Sequence, residues 1–167
     1  ARDVFPKLGY AKSVAVHHHM LLGLQFSQTD LEGVDRKIAM KMSKSKPETA
    51  IFMTDAPAEV EQKFRKAHCI DEVVEDNPVL EYAKYIVFEM RTSLLIARPE
   101  KYGGDVLFYS YEELETAFKE GSLKSVDLKA GVAKTINELL EPTRKHFEEN
   151  ERARDLLEKV KGFQVTR

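Results

Sequence analysis

One cysteine, Cys69, is all the thiol this chain has. An internal disulfide is excluded, and the count fits a reducing cytosol. An excess of one charge is lacking too. There are 26 Lys and Arg against 28 Asp and Glu, a net charge of −2. Overall charge therefore does not mark a nucleic-acid binder, and any RNA contact must come from a local patch. No apolar run is long enough to span a bilayer. No signal or transit peptide opens the chain. The expectation is a cytoplasmic protein with no membrane partner. There is no internal repeat and no low-complexity tract. No Met precedes Ala1, and residues 2–8 read as the tail of a helix stopped by Gly9. The chain reads as a C-terminal piece of something longer.

What is present is globular. The 167 residues are 43% hydrophobic and 32% charged. That suffices for one domain with a real core, or one and a half small units. Ser13-Val14-Ala15-Val16 reads as a short buried strand. Residues 17–48 read as a long functional loop. A helix is expected after Asp55, its N-cap, with Pro57 in the first turn and Val60, Phe64 and Ala67 on one face. A second helix opens with Asn77 as cap and Pro78 at the first position, and Leu80, Ala83 and Val87 form its stripe. Residues 94–97 and 106–109 read as strands of a hairpin around the turn-rich residues 99–105. Ser110-Tyr111-Glu112-Glu113 is a capping box, opening a helix that Gly121 stops. A long helix from Ser125 carries Leu128, Val132, Ile136 and Leu139 on one face, and Pro142 should kink or interrupt it. Residues 148–167 are a terminal helix or a frayed tail.

The residues with the most chemistry are Lys41-Met42-Ser43-Lys44-Ser45. Two lysines three residues apart, spaced by small hydroxyl side chains, suit the holding of a polyphosphate. Each ammonium is a mobile point charge with three donors. Ser43 and Ser45 leave the backbone free to approach phosphate and can donate hydroxyls. Met42 serves as an apolar anchor. Lys46 reads as a solvated neighbour. His17-His18-His19 make a poor three-ligand cage, since consecutive residues on an extended segment alternate sides. No metal site is expected. Cys69 reads as a small buried hydrophobe.

The pentapeptide is KMSKS, and it resembles the second signature of class I aminoacyl-tRNA synthetases. Other blocks resemble the tyrosyl-tRNA synthetases of archaeal/eukaryotic type, over nearly all of residues 1–147. These are Met20-Leu21-Leu22-Gly23-Leu24, Lys66-Ala67-His68-Cys69, Arg98-Pro99-Glu100-Lys101-Tyr102-Gly103-Gly104-Asp105, Ser110-Tyr111-Glu112-Glu113-Leu114-Glu115, and Leu140-Glu141-Pro142-Thr143-Arg144-Lys145. The blocks around Tyr102 and Ser110 separate tyrosine from tryptophan, the nearest relative.

The resemblance implies an α/β opening segment, the end of a Rossmann catalytic domain with the KMSKS loop, over residues 1–53. A mainly α-helical anticodon-binding domain with a small β-hairpin would follow over residues 54–147, then a helical tail over residues 148–167. It implies tyrosine–tRNA ligase chemistry with ATP and Mg²⁺. Lys41 and Lys44 would act on the leaving phosphates. Met42, Ser43 and Ser45 would line the nucleotide, Met20 and Leu21 would wall the adenine, and His17 or His19 would lie near it. The implied RNA partner is tyrosine tRNA through its anticodon stem-loop, which presents G at the wobble position. Tyr102 falls where the family stacks an aromatic on that base, Asp127 where it places the guanine-reading carboxylate, and Lys124 beside them. Read without the resemblance, Asp127 is a first-turn acid favoured by the helix dipole. Lys129, Lys134, Arg144 and Lys145 are further phosphate candidates. Complete members are generally homodimers. The HIGH-type first signature and the tyrosine pocket are absent from the sequence, so no catalysis is expected from this chain alone. The alternative is a stand-alone tRNA- or RNA-binding module.

Overall fold

A computed structural model describes residues 2–25, 33–43 and 45–163, with residues 34, 36 and 37 described by backbone alone. The helices are α1 (Gly33–Met40), α2 (Pro57–Arg65), α3 (Pro78–Tyr82), α4 (Phe88–Met90), α5 (Tyr111–Lys119), α6 (Ser125–Glu149) and α7 (Glu151–Lys161). A wider, π-type turn over Ala83–Val87 joins α3 to α4. The strands β1 (Leu94–Ile96) and β2 (Val106–Phe108) form an antiparallel hairpin, Leu94 facing Phe108 and Ile96 facing Val106.

The helix signals in the sequence act locally as their chemistry requires. Asn77 caps α3, its side-chain Oδ1 accepting from the N–H groups of Val79 and Leu80, with Pro78 at the first position. Ser110 Oγ accepts from Glu113 N–H at the start of α5, but the expected capping box is only half formed, since the Glu113 carboxylate accepts from Tyr109 N–H rather than from that of Ser110. Gly121 follows the end of α5 in the left-handed conformation that glycine tolerates. The expected apolar stripes are buried. Val60, Phe64 and Ala67 turn inward from α2 and its end, and Leu80, Ala83 and Val87 from the second helix. Leu128, Val132 and Ile136 turn inward from α6, joined by Leu140, while Leu139 is partly buried.

These faces meet in one core with Phe108, Leu114, Phe118 and Leu123. Full burial of such side chains contributes about 1.5–3 kcal/mol each. Close packing of α6 on β1 depends on Gly131, where a Cβ would lie 2.2 Å from Ile96 Cδ1. Helix α6 continues through Pro142 rather than being interrupted there.

Four expectations are corrected. Residues 13–16 form no strand, and Val14 and Val16 are 92% and 88% exposed. A buried parallel strand needs partners on its edges, and among the described residues the only sheet is β1–β2. Residues 17–48 are not all loop, because α1 lies among them, with Asp35 in its first turn and Met40 buried at its end. Asp55 is not the cap of α2. Ala56 holds that position, and the Glu59 carboxylate accepts from its N–H. Residues 2–8 contain a single 3₁₀ turn, Pro6–Leu8, closed by Gly9 at φ 79°.

Asp55 is instead the buried centre of a junction. Its carboxylate pairs with Lys63 and accepts from Phe52 N–H. Lys63 also donates to the Ala50 carbonyl at 3.0 Å. The Arg144 guanidinium donates to the Asp55 carbonyl at 2.7 Å and to Asn137 at both its carbonyl and its side-chain oxygen. Arg144 is therefore a buried strut and not the phosphate contact its charge had suggested.

Candidate functional site

Residues 41–43 and 45, the described part of the pentapeptide, are held from two sides. Gly23 N–H donates to the Met40 carbonyl at 2.8 Å, and Leu22 forms an antiparallel bridge with Lys41. The packing at Gly23 is tight, since a Cβ would lie 3.2 Å from Met40 O and 3.3 Å from both Met42 N and Thr49 Cβ. On the other side stands Thr49, buried and central. Its hydroxyl accepts from Ser43 N–H at 3.0 Å and donates to the Lys46 carbonyl at 2.7 Å. Lys46 N–H donates to the Ser43 carbonyl, and Ser45 N–H to Ser43 Oγ. Leu24 N–H returns to the Thr49 carbonyl, and His68 N–H to that of Leu24.

Lys41, Ser45 and Lys46 are exposed, and Met42 and Ser43 half-buried. Met42 and Leu21 pack against the core, Met42 as the anchor its side chain predicts. Met20 is exposed. Lys44 lies outside the described residues. Thr49 gave no sequence signal beyond following Pro47-Glu48.

The histidine run does not stand free. His19 stacks on Tyr85 with ring centroids 4.0 Å apart, and its Nε2 lies 3.1 Å from Glu81 Oε1. The other Glu81 oxygen accepts from Leu22 N–H at 2.8 Å. Tyr85 belongs to the π-type turn, a geometry that recurs at functional sites. Glu81 and Tyr85 thus hold the segment that leads into the loop. His18 bonds back to the His19 carbonyl.

A second constellation lies where the hairpin meets α6. Tyr102 ends a short 3₁₀ turn, Glu100–Tyr102, followed by Gly103 and Gly104, both at positive φ. Tyr102 is 61% exposed, with Lys101 Nζ 4.8 Å from its ring centroid. Arg98 ties this turn down. Its N–H donates to Asp105 Oδ1, its Nε to the Gly104 carbonyl and its Nη1 to the Ser122 carbonyl. Ser122 lies two residues before Lys124, which precedes α6. Asp127 is half-buried in the first turn of α6, and Lys124 is exposed and paired with Glu72. Arg98 thus ties the turn that carries Tyr102 to Ser122, just before α6, and an exposed ring, a carboxylate at a helix start and a cation are the kinds of group that stack on a base and accept from its edge.

Lys129 and Lys134 line a groove of about 640 Å³ between α2 and α6, with Arg65 and Glu61. Cys69 is partly buried and its thiol is pushed up by burial, while Asn77 Nδ2 donates to the sulfur. Among the described residues no group of three or more His, Cys, Asp or Glu side chains could hold a metal ion. No helix among them is long and apolar enough to cross a membrane.

Comparison with known proteins agrees with the motifs. The sequence profile of the class I tRNA synthetases (W and Y) matches residues 2–141. The tyrosine–tRNA ligase of Sulfurisphaera tokodaii is 51% identical over 152 residues, 89% of this chain and 42% of that protein. That of Pyrococcus furiosus is 48% identical over 162 residues, 93% of this chain and 42% of its own length. The crystal structure of tyrosyl-tRNA synthetase from Pyrococcus horikoshii, complexed with L-tyrosine, superposes with a TM-score of 0.78 at 44% identity, over 90% of this chain and 42% of that one. The chain spans less than half the length of these relatives. A tryptophanyl-tRNA synthetase from Giardia lamblia shares the fold alone, at 23% identity and a TM-score of 0.51. The chain belongs to the class I tRNA synthetases for tryptophan and tyrosine, on the tyrosyl side, in the archaeal/eukaryotic type.

Proposed function

We propose that this chain is the phosphate-binding and anticodon-reading portion of a tyrosine–tRNA ligase. The supporting observation is the KMSKS loop, fastened by Gly23 and Thr49 so that Lys41 and Ser45 face solvent, in a chain whose relatives carry that name. In the reaction, the tyrosine carboxylate attacks the α-phosphate of ATP and pyrophosphate leaves. Charge then builds on the β and γ phosphates. Lys41 and Lys44 favour that distribution over bound ATP, and this difference accelerates the step. Ser43 and Ser45 donate hydroxyls, and Met42 anchors the loop. Met20 and Leu21 wall the adenine. Mg²⁺ comes with the phosphates of ATP and shares their charge.

Residues 1–53 are the end of the catalytic domain, residues 54–147 the anticodon domain and residues 148–167 a helical tail. At the anticodon end, Tyr102 stacks on the wobble G, Asp127 accepts from its N1–H and N2 amino group, and Lys124 packs beside it. Stacking of this kind is worth about 1–3 kcal/mol per base. The complete enzyme works as a cytoplasmic homodimer.

The test is tyrosine-dependent ATP–pyrophosphate exchange by a full-length protein containing this chain. Lys44→Ala should slow exchange by about a hundredfold or more, on the scale of losing one oxyanion donor, and leave RNA-hairpin affinity unchanged. Equal exchange rates would remove the phosphate role.

A further inference from the structure

Helix α6 opens without a local cap. Lys124 holds the N-cap position and offers no side-chain acceptor to the first turn. The acceptor comes from a turn more than fifty residues earlier. Asp71 Oδ1 accepts from Ser125 N–H at 2.6 Å. This bond, with one from the Ser125 side chain, holds the Asp71 carboxyl below the usual carboxylate range. The next residue, Glu72, reaches Lys124 Nζ at 3.0 Å through Oε1.

Two backbone features show how closely this turn is fitted. Glu72 sits at φ 67°, a left-handed conformation that few residues other than glycine adopt. Its carboxylate lies against Gly121, itself at φ 76°, where a Cβ would be 2.7 Å from Glu72 Oε1. The Arg98 bond to Ser122 falls between Gly121 and Lys124. The Tyr102 turn, the Asp71–Glu72 turn and the start of α6 therefore converge on residues 121–125.

We infer that Asp71 and Glu72 are positioning residues for base reading, clamping the first turn of α6 and so fixing where Lys124 and Asp127 meet the RNA. The inference rests on the reading of Tyr102 and Asp127 as the base-recognition pair. Neither acid needs to touch the base. Asp71 sets the helix start, and Asp127 N–H bonds to the Lys124 carbonyl within that same turn. Glu72 pairs with the exposed Lys124 ammonium.

The test is fluorescence anisotropy of the chain with two RNA hairpins, one presenting G at the first anticodon position and one presenting A. The ratio of the two affinities is the readout, since loss of general stability would not change it selectively. Asp71→Ala should lower the G-to-A ratio about fivefold, the scale of losing a helix cap. Asp71→Asn, which keeps an acceptor, should restore most of it. An unchanged ratio in Asp71→Ala, with Asp127→Ala abolishing the preference, would overturn the clamp and leave the base-reading pair intact. No preference in the unmodified, folded chain would remove the underlying reading and the inference with it. Should Asp71→Ala fail to fold, Glu72→Gln carries the test: a lowered ratio supports the clamp, and an unchanged ratio overturns it.

Discussion

Arg98 and Ser122 lie 24 positions apart and meet at 2.8 Å, the guanidinium Nη1 donating to the Ser122 carbonyl. The same side chain holds the Gly104 carbonyl at 3.1 Å. One planar fork thus joins the hairpin turn that carries Tyr102 to the loop that leads to Asp127. A lysine cannot make both bonds, because it lacks the rigid fork.

Arg98→Lys and Arg98→Ala should both weaken binding of the G-bearing hairpin about tenfold. That corresponds to losing one or two hydrogen bonds of about 1 kcal/mol each. Far-UV circular dichroism should stay unchanged, because the contacts lie at the surface. Full RNA affinity in both variants would show that the turn needs no tether.

Thr49→Val keeps the shape and removes the hydroxyl. Ser43 N–H then loses its partner, while the Lys46 carbonyl keeps the bond from Thr49 N–H. The expected cost is about 1–3 kcal/mol, seen locally as faster amide exchange at Ser43. Exchange unchanged at that amide would mean that the loop is held by other contacts.

Gly131→Ala would drive a methyl into Ile96 Cδ1. Alanine favours the helix by about 1 kcal/mol, but overpacking a buried contact costs about 1–3 kcal/mol. Chemical denaturation should show a net loss, relieved when Ile96→Val is added. Additive effects of the two changes would argue against direct contact.

Tyr82 is buried against Phe64, their rings at 5.3 Å and nearly perpendicular. Burial pushes its phenol up to about 12, and a backbone hydrogen bond from Ile51 pulls the other way. A phenol raised above its unfolded value near 10 contributes stability that is full below pH 10. That stability is lost as pH rises through the folded value. The melting temperature should therefore fall between about pH 10 and 12, and Tyr82→Phe should lessen that fall. An ultraviolet titration placing Tyr82 near 10 would contradict the burial.

Much of the helical part was legible in the sequence because its signals are local. Asn77-Pro78, Ser110 with Glu113, and the apolar stripes act within one or two turns, and the structure has them where the spacing put them. The opening segment was misread for the opposite reason. Ser13-Val14-Ala15-Val16 has strand composition, but a strand is a relation to neighbours that composition does not supply. Asp55 looked like a cap because Pro57 follows two residues later, in the first turn. Lys63, two turns into the following helix, takes its carboxylate, and Arg144, 89 residues on, binds its carbonyl. KMSKS, Tyr102 and Asp127 stand in the sequence as the motif residues of the proposed sites. The contacts of Thr49, Asp71 and Glu72 carry no motif, and Arg98, although it opens the block around Tyr102, gives no sign in the sequence of its bond to Ser122.

Base recognition by Tyr102 and Asp127 is tested most directly by titrating the chain with an anticodon hairpin bearing G at its first position and with the same hairpin bearing A. Binding should favour G by about tenfold or more, within the range of one bidentate base contact, and Asp127→Ala should remove the difference. Equal affinity of the folded chain for both hairpins would contradict it.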